Sequence, residues 1–422
     1  MQQTYYQFSA EQELTFAKLE CDLDVQVCVI GAGFAGLATA LGLLERGVES
    51  VAVVEAKTVG FGASGRNGGF VFGGFSLDNH DLLKQLGAPK AKALYQLTLD
   101  AVQLIRQRID QYQSDCDKNE SGVLLANWFD DQRSLIKLQN FMCDSFDVDW
   151  TYIDKDQLRQ ELHSERYFGA LHEKNAFHFH PLKYARGLAR VIQEQGGQMF
   201  ENTSVTAIED GNGGKRVQTN TGHHIKAQHV VVCCGGYIEG LVPRLSRAVL
   251  PIATYVMATE PLGDRLQTAM RTGAAVYDTR FAFDYYRPLA DTRLLWGGRI
   301  SIAERTPQQV QNLLYLDMLK VYPQLRGTKV DFAWSGFMSY GRHKMPQLGR
   351  LANGLWYGLG FGGHGVAPTT LAGEVLAQAI AFDSPLPAGF ERYGLPSTLG
   401  PLGLLGAQMT YWYYELRDYL RQ

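Results

Sequence analysis

The stretch from Val25 to Glu55 limits this chain's fold more than any other, because it carries every part of a nucleotide-binding βαβ unit. Val25, Val27, Val29 and Ile30 form an apolar, β-branched run with the length of a buried parallel strand. The run breaks into Gly31-Ala32-Gly33-Phe34-Ala35-Gly36, a G-x-G-x-x-G turn. In such a turn the first glycine permits the tight bend, the second admits a pyrophosphate close to the backbone, and the third lets helix and strand touch. A helix is predicted over Phe34–Arg46, with Leu37, Leu41 and Leu44 at helical spacing and Gly47 placed to end it. Its free N–H groups and positive dipole end then face the phosphates. A second apolar strand, Val51–Val54, runs into Glu55, 24 positions after Gly31, where an acid meets ribose hydroxyls. The pattern predicts dinucleotide binding. The chain's other glycine cluster, Gly211–Gly214, lies in a polar hairpin and has only turn chemistry.

A second loop follows: Thr58-Val59-Gly60-Phe61-Gly62-Ala63-Ser64-Gly65-Arg66-Asn67-Gly68-Gly69. Together with Asp284-Tyr285-Tyr286-Arg287, Trp334-Ser335-Gly336, Met345-Pro346-Gln347, Gly363-His364-Gly365-Val366, His178-x-His180-Pro181 and the closing Tyr413-Tyr414-x-Leu416-Arg417-Asp418, it resembles the D-amino-acid oxidase/glycine oxidase superfamily. The likeness is nearest to the bacterial branch of γ-glutamylputrescine oxidoreductases and related amine or imino-acid (pipecolate-type) oxidases.

The resemblance implies an α/β (α+β overall) fold, with a Rossmann-like FAD lobe and a substrate lobe built on a mixed, largely antiparallel sheet. Residues 22–90, 175–240 and 342–384 would form the FAD lobe, 91–174 and 241–341 the substrate lobe, and 385–422 an aromatic tail. It further implies that FAD contacts Gly31, Gly33, Phe34, Ala35, Gly36, Glu55 and Ala56 in the βαβ unit. Gly62, Ala63, Ser64, Arg66, Asn67, Gly68 and Gly69 would follow in the second loop. Val205, Cys234, Gly235, Gly360, Gly363, His364, Gly365 and Val366 would complete the cofactor set.

The glycine-rich turn Gly358–Val366, delivering a helix, suits the flavin's N1–C2=O2 edge, where positive potential stabilises the electron-rich reduced form. Tyr286, Arg287, His364 and Lys344 are the candidate catalytic residues. Alternation on an extended segment puts Tyr286 on one face and Tyr285 with Arg287 on the other. A guanidinium there could clamp a substrate carboxylate through its planar fork, or could serve as an ordinary ion-pair residue. Lys344 stands where relatives carry Arg, so a role for it is open. His178 and His180 face one way and could line the cavity or satisfy core hydrogen bonds, and no third ligand accompanies them to make a metal site. No cysteine falls between Arg342 and Gly363, where some relatives attach the flavin, so FAD is expected to be non-covalent.

The expected reaction is oxidation of a C–N bond in a small primary or secondary amine or amino acid. Hydride passes to flavin N5, and the resulting imine hydrolyses. Oxygen or a quinone or other electron carrier would reoxidise the flavin. Two other readings stay open: an NAD(P)H-using flavin monooxygenase, and a flavoprotein maturation or assembly partner. Composition narrows the field further. A net charge of −3 and the lack of a basic run argue against nucleic acid, and no segment has the apolar length of a membrane span. The six cysteines show no C-x-x-C or metal spacing, and a polar N-terminus without a signal layout completes the expectation of a cytoplasmic protein.

Overall fold

The computed structural model describes residues 3–10 and 14–421. Val25–Ile30 lies within strand Leu23–Ile30, and its apolar run is explained by parallel neighbours on both sides. Val27 and Val29 sit beside Val51 and Val53 of one neighbour, while Val29 and Ile30 sit beside Val231 and Val232 of the other. Across the sheet the order is Gln347–Arg350, Trp356–Leu359, His224–Val232, Leu23–Ile30, Val51–Val54 and Gln198–Phe200. The predicted polar hairpin appears as Val205–Gly211 and Gly214–Thr219, appended to His224–Val232.

The helix after Gly33 runs Phe34–Leu44, two residues shorter than expected, and Gly47 follows with φ +79°. It packs against Val366–Phe382, the helix delivered by the second glycine-rich turn. Close approach is possible because Gly373 faces Ala38, where an added Cβ would come within 2.5 Å of the Ala38 methyl.

The first part of the 91–174 segment, expected in the substrate lobe, packs elsewhere. Ala88–Gln111 lies on Val366–Phe382 instead, and its Leu94, Ala101, Ile105 and Ile109 share a core with Val27 and Val29. Its buried Arg108 ties this layer together through ion pairs to Glu45 and Glu374. The long amphipathic face is thus spent on the nucleotide layer, and only the chain after it crosses to the second lobe.

That lobe is an eight-stranded sheet, in the order Val330–Gly341, Val249–Thr259, Leu294–Ser301, Asp284–Pro288, Ala275–Asp278, Val123–Ala126, Ala170–Glu173 and Thr151–Ile153. All neighbours are antiparallel except Val123–Ala126 with Ala275–Asp278. A helix over Gln132–Phe146, capped by Asp131, follows Val123–Ala126. Within the segment expected as an aromatic tail, a final helix runs Pro401–Leu420. Gly403 and Gly406 weaken the helix propensity of its first half.

Candidate active site

Between the lobes lies a cavity of about 1710 Å³. Ligand pockets commonly span roughly 300–1,000 Å³, so this one has room for a dinucleotide and a further small molecule. One end is built by the βαβ unit. Gly33 is the N-cap of Phe34–Leu44 and offers no side chain, so the helix start stays open to the cavity. Ser64 Oγ accepts the Phe34 N–H at 2.9 Å, binding the second loop to the helix start. Gly36 serves the packing of strand against helix, since a Cβ there would lie 1.9 Å from the Gly31 carbonyl oxygen. Glu55 accepts the Ala32 and Lys57 N–H groups, each at 2.9 Å, while burial pushes its carboxyl above the usual range.

Of the residues expected at the cofactor, Gly31, Gly33, Phe34, Ala35, Glu55, Ala56, Gly62, Ala63, Ser64, Arg66, Asn67, Gly68, Val205, Cys234, Gly235, Gly363, His364, Gly365 and Val366 line this cavity. Gly36, Gly69 and Gly360 stand one layer behind it. The Gly69 carbonyl accepts the Phe179 N–H at 2.9 Å, and the Gly360 N–H donates to Ser339 Oγ at 3.2 Å. They shape the wall rather than face the space.

Farther along, the N-terminus of Val366–Phe382 opens onto the cavity with Gly365 as its N-cap. His364 sits beside it, its ring 4.0 Å from that of Phe72 and its Nε2 3.3 Å from the Phe72 carbonyl oxygen. Burial holds its imidazole down at about 4, so it is neutral near pH 7. Positive potential at this spot comes from the helix end, not from the histidine.

The roof is contributed by the second sheet. Tyr285 lines the cavity, its ring lying where a Cβ on Gly297 would approach within 2.1 Å. Tyr277, Phe283, Ile300 and Ile302 extend the apolar surface. Two roof arginines also line it, but each is neutralised by its own lobe. Arg280 donates to Asp278 and Asp284 at 2.6–2.8 Å and stacks 3.6 Å over Trp128. Arg299 forks onto Asp317 at 2.8 and 2.9 Å. The helix Pro401–Leu420 forms one more wall through Gly403, Gly406, Ala407, Gln408, Thr410 and Tyr411. Lys344 stands at an exposed part of the lining, in a turn with φ +61°.

Two candidate catalytic residues lie elsewhere, which corrects the expectation for them. Tyr286 points to the far side of the sheet, stacked on Trp296 at 4.3 Å and bonded to Tyr322 Oη at 3.1 Å. Arg287 does share a face with Tyr285, as alternation requires, but it runs beneath the Gly68–Gly69 loop. Its Nε donates to the Gly68 carbonyl at 2.6 Å, and one terminal nitrogen donates to the Phe179 carbonyl at 2.9 Å and to Tyr6 Oη at 3.2 Å. The other terminal nitrogen is 3.3 Å from His178 Nδ1. With its donors committed to protein groups, the guanidinium holds a loop instead of reaching the cavity.

His178 and His180 take the core alternative. His178 Nε2 meets the Gly273 carbonyl at 2.8 Å, and His180 lies between Ser9 Oγ at 3.0 Å and the Lys183 N–H at 3.1 Å. Burial and the nearby Arg287 charge lower them to about 3 and about 2, so both are neutral. Among the described residues no group of His, Cys, Asp and Glu could hold a metal ion.

An anion-binding helix start beside an acid-ended strand, a second helix start farther along and a sheet roofing the space between them define a flavin-dependent oxidoreductase. The family model for "DAO: FAD dependent oxidoreductase" matches residues 26–379, and the chain belongs to that family. It is 35% identical to γ-glutamylputrescine oxidoreductase of Escherichia coli K12, over 99% of this chain and 98% of that one. It is 34% identical to a probable oxidoreductase, OrdL, of Haemophilus influenzae Rd, over 99% of this chain and 97% of that one. In fold it is similar to the crystal structure of glycine oxidase from Geobacillus kaustophilus, with a TM-score of 0.73 at 19% identity, covering 89% of this chain and 99% of that one.

Proposed function

We propose that the chain oxidises the C–N bond of a small primary or secondary amine, of the kind represented by γ-glutamylputrescine, pipecolate or N-methyl amino acids. The observation carrying this reading is the chemistry of the roof. Tyr285, Tyr277, Phe283 and Ile300 present aromatic and aliphatic surface, and Arg280 and Arg299 are already matched by Asp278, Asp284 and Asp317. Such a surface favours a neutral amine over its ammonium ion, because burying an unpaired charge is costly. The lone pair of the free base is what assists departure of hydride from the α-carbon.

The residues present fit FAD. Gly33 leaves the helix start uncovered for a pyrophosphate, Glu55 stands at the ribose position, and the start of Val366–Phe382 supplies positive potential at the far end. When bound, the cofactor would supply two-electron acceptance from the amine carbon. This chain's share is orientation and exclusion of water. Tyr285 and the wall from Pro401–Leu420 confine the amine, and neutral His364 holds Phe72 in place through its carbonyl. No general base is needed for an amine that arrives deprotonated.

Non-covalent attachment is part of the reading. Of the cysteines lining the cavity, Cys233 is pushed up to about 12 by burial, and Cys234 is also pushed up, its Sγ 3.6 Å from the Ile30 carbonyl. Neither is an available thiolate. Acid or heat denaturation should release intact flavin.

The deciding experiment is anaerobic mixing of the holoprotein with these amines and with D-amino acids, following loss of the oxidised-flavin absorption band. Bleaching by an amine supports the proposal, and readmitting oxygen or adding a quinone then identifies the acceptor. A protein bleached by NADPH and unresponsive to every amine would refute it.

A further inference from the structure

Helix Pro401–Leu420 is docked inside out. Three of its polar groups turn inward: Asp418 accepts the Phe281 and Ala282 N–H groups at 2.8 and 3.2 Å, Gln408 Oε1 accepts the Ile302 N–H at 3.1 Å, and Glu415 pairs with Arg299. Its apolar groups turn to solvent. Leu402, Leu405, Met409, Trp412, Leu416 and Tyr419 are each 50–73% exposed. Their spacing is 3-4-3-4-3, the repeat of a seam that interlocks with another helix. Tyr413 and Leu420 widen the ridge.

We infer that the occupant of this ridge is a second copy of the same chain, its own Pro401–Leu420 helix laid antiparallel across a two-fold axis. A two-fold interface requires that if one residue meets another, the reverse contact also holds. The seam satisfies this: centred between Met409 and Trp412, it sets Leu402 opposite Tyr419, Leu405 opposite Leu416 and Met409 opposite Trp412. The area is also sufficient. Eight large side chains exposed by half to three-quarters offer roughly 800 Å², from residue areas of about 150–250 Å². That matches the ~800 Å² which each partner contributes to a standard stable interface.

Charge favours a protein over a lipid surface. A membrane-lying helix carries Lys and Arg along its polar side. Here that side has Glu415 and Asp418 turned inward, Arg421 paired with Asp131, and within the helix a single cation, Arg417, stacked over Tyr414, on a chain of net charge −3. Because Gly403, Gly406, Ala407 and Thr410 of the same helix line the cavity, pairing would brace one of its walls.

Sedimentation equilibrium of the holoprotein at micromolar concentration tests the inference. The expected mass is twice the 47.0 kDa of one chain, falling to a single chain in Leu405→Glu and Leu416→Glu proteins that keep their flavin. A wild-type protein that sediments as one chain overturns it, as does a dimer that survives both substitutions. A single-chain wild type that floats with phosphatidylcholine/phosphatidylglycerol vesicles would assign the ridge to membrane instead. Should the glutamate variants misfold, Met409→Cys combined with Trp412→Cys should form an intermolecular disulfide on mild oxidation, above the wild-type background. Its absence in a flavin-loaded protein refutes the antiparallel register.

Discussion

Replacing Arg287 with alanine should destabilise the protein while leaving substrate recognition nearly untouched. The side chain is 2% exposed and donates to two buried carbonyls, Gly68 at 2.6 Å and Phe179 at 2.9 Å. Each carbonyl deprived of its partner costs about 1–3 kcal/mol. His178 Nδ1 and Tyr6 Oη lose a neighbour as well, although Tyr6 still donates to the Asn67 carbonyl at 2.8 Å. A vacated volume adds to this, and relief of burying a cation subtracts from it. The net expectation is a loss of about 3–5 kcal/mol. Because Gly68 lines the cavity, weaker flavin retention should accompany the loss. Arg287→Lys should recover only part, since one ammonium cannot reach divergent acceptors as the planar fork does. Chemical denaturation followed by tryptophan fluorescence, with flavin content by absorbance, measures both effects. The reasoning fails if Arg287→Ala unfolds within about 1 kcal/mol of wild type but loses 30-fold or more in kcat/KM for carboxylated amines alone, an effect of about 2 kcal/mol. Arg287 would then be a substrate clamp.

Gly33→Val should abolish flavin retention with the fold intact, because its side chain would enter the phosphate approach and crowd Ser64 Oγ, 3.0 Å from an added Cβ; full occupancy by absorbance would contradict the nucleotide site. Tyr286→Phe should leave kcat within about twofold and cost about 1 kcal/mol, the worth of its bond to Tyr322; a tenfold fall in kcat would return Tyr286 to the chemistry. Of the ten histidines, His178, His180 and His364 should show no NMR titration between about pH 5.5 and 8. With native values lowered below the unfolded one, each contributes stability that is present at neutral pH and declines as pH falls through about 6.5, at about 1.4 kcal/mol per unit. Glu173 and Asp284, which burial raises to about 7, act with the opposite sign, so the acid slope should be shallower than three histidines alone would give.

The nucleotide half was legible because local rules agree with the fold there. Apolar runs, glycines and an acid at fixed spacing have one compact solution, and Gly31, Gly33, Glu55 and Ser64 all line one cavity. The roof was legible only as a set of alternating strands. Alternation correctly paired Tyr285 with Arg287, but it cannot say which face turns to a cavity or how far along the strand the cavity extends. Tyr285 reaches it, Tyr286 faces the core, and Arg287 falls beneath a loop lying 219 residues earlier. Tyr277, Phe283 and Ile300 were missed for the same reason: apolar residues on a strand read as core unless the partner lobe is known. Ala88–Gln111 was misassigned because periodicity identifies an apolar face and leaves open which layer covers it.

The pairing of Leu23–Ile30 with His224–Val232 has a consequence for biosynthesis. Val27 emerges from the ribosome about two hundred residues before His229, its neighbour in the sheet, and far before Trp356–Leu359 and Val366–Phe382 complete the pocket. The nascent nucleotide strands therefore wait with bare edges, exposed to mispairing, until these later segments are made. Flavin can be captured only after Val366–Phe382 has been made, and by binding the closed form alone it draws late intermediates toward it. Cellular flavin supply should then govern how much folded protein accumulates as well as how active it is.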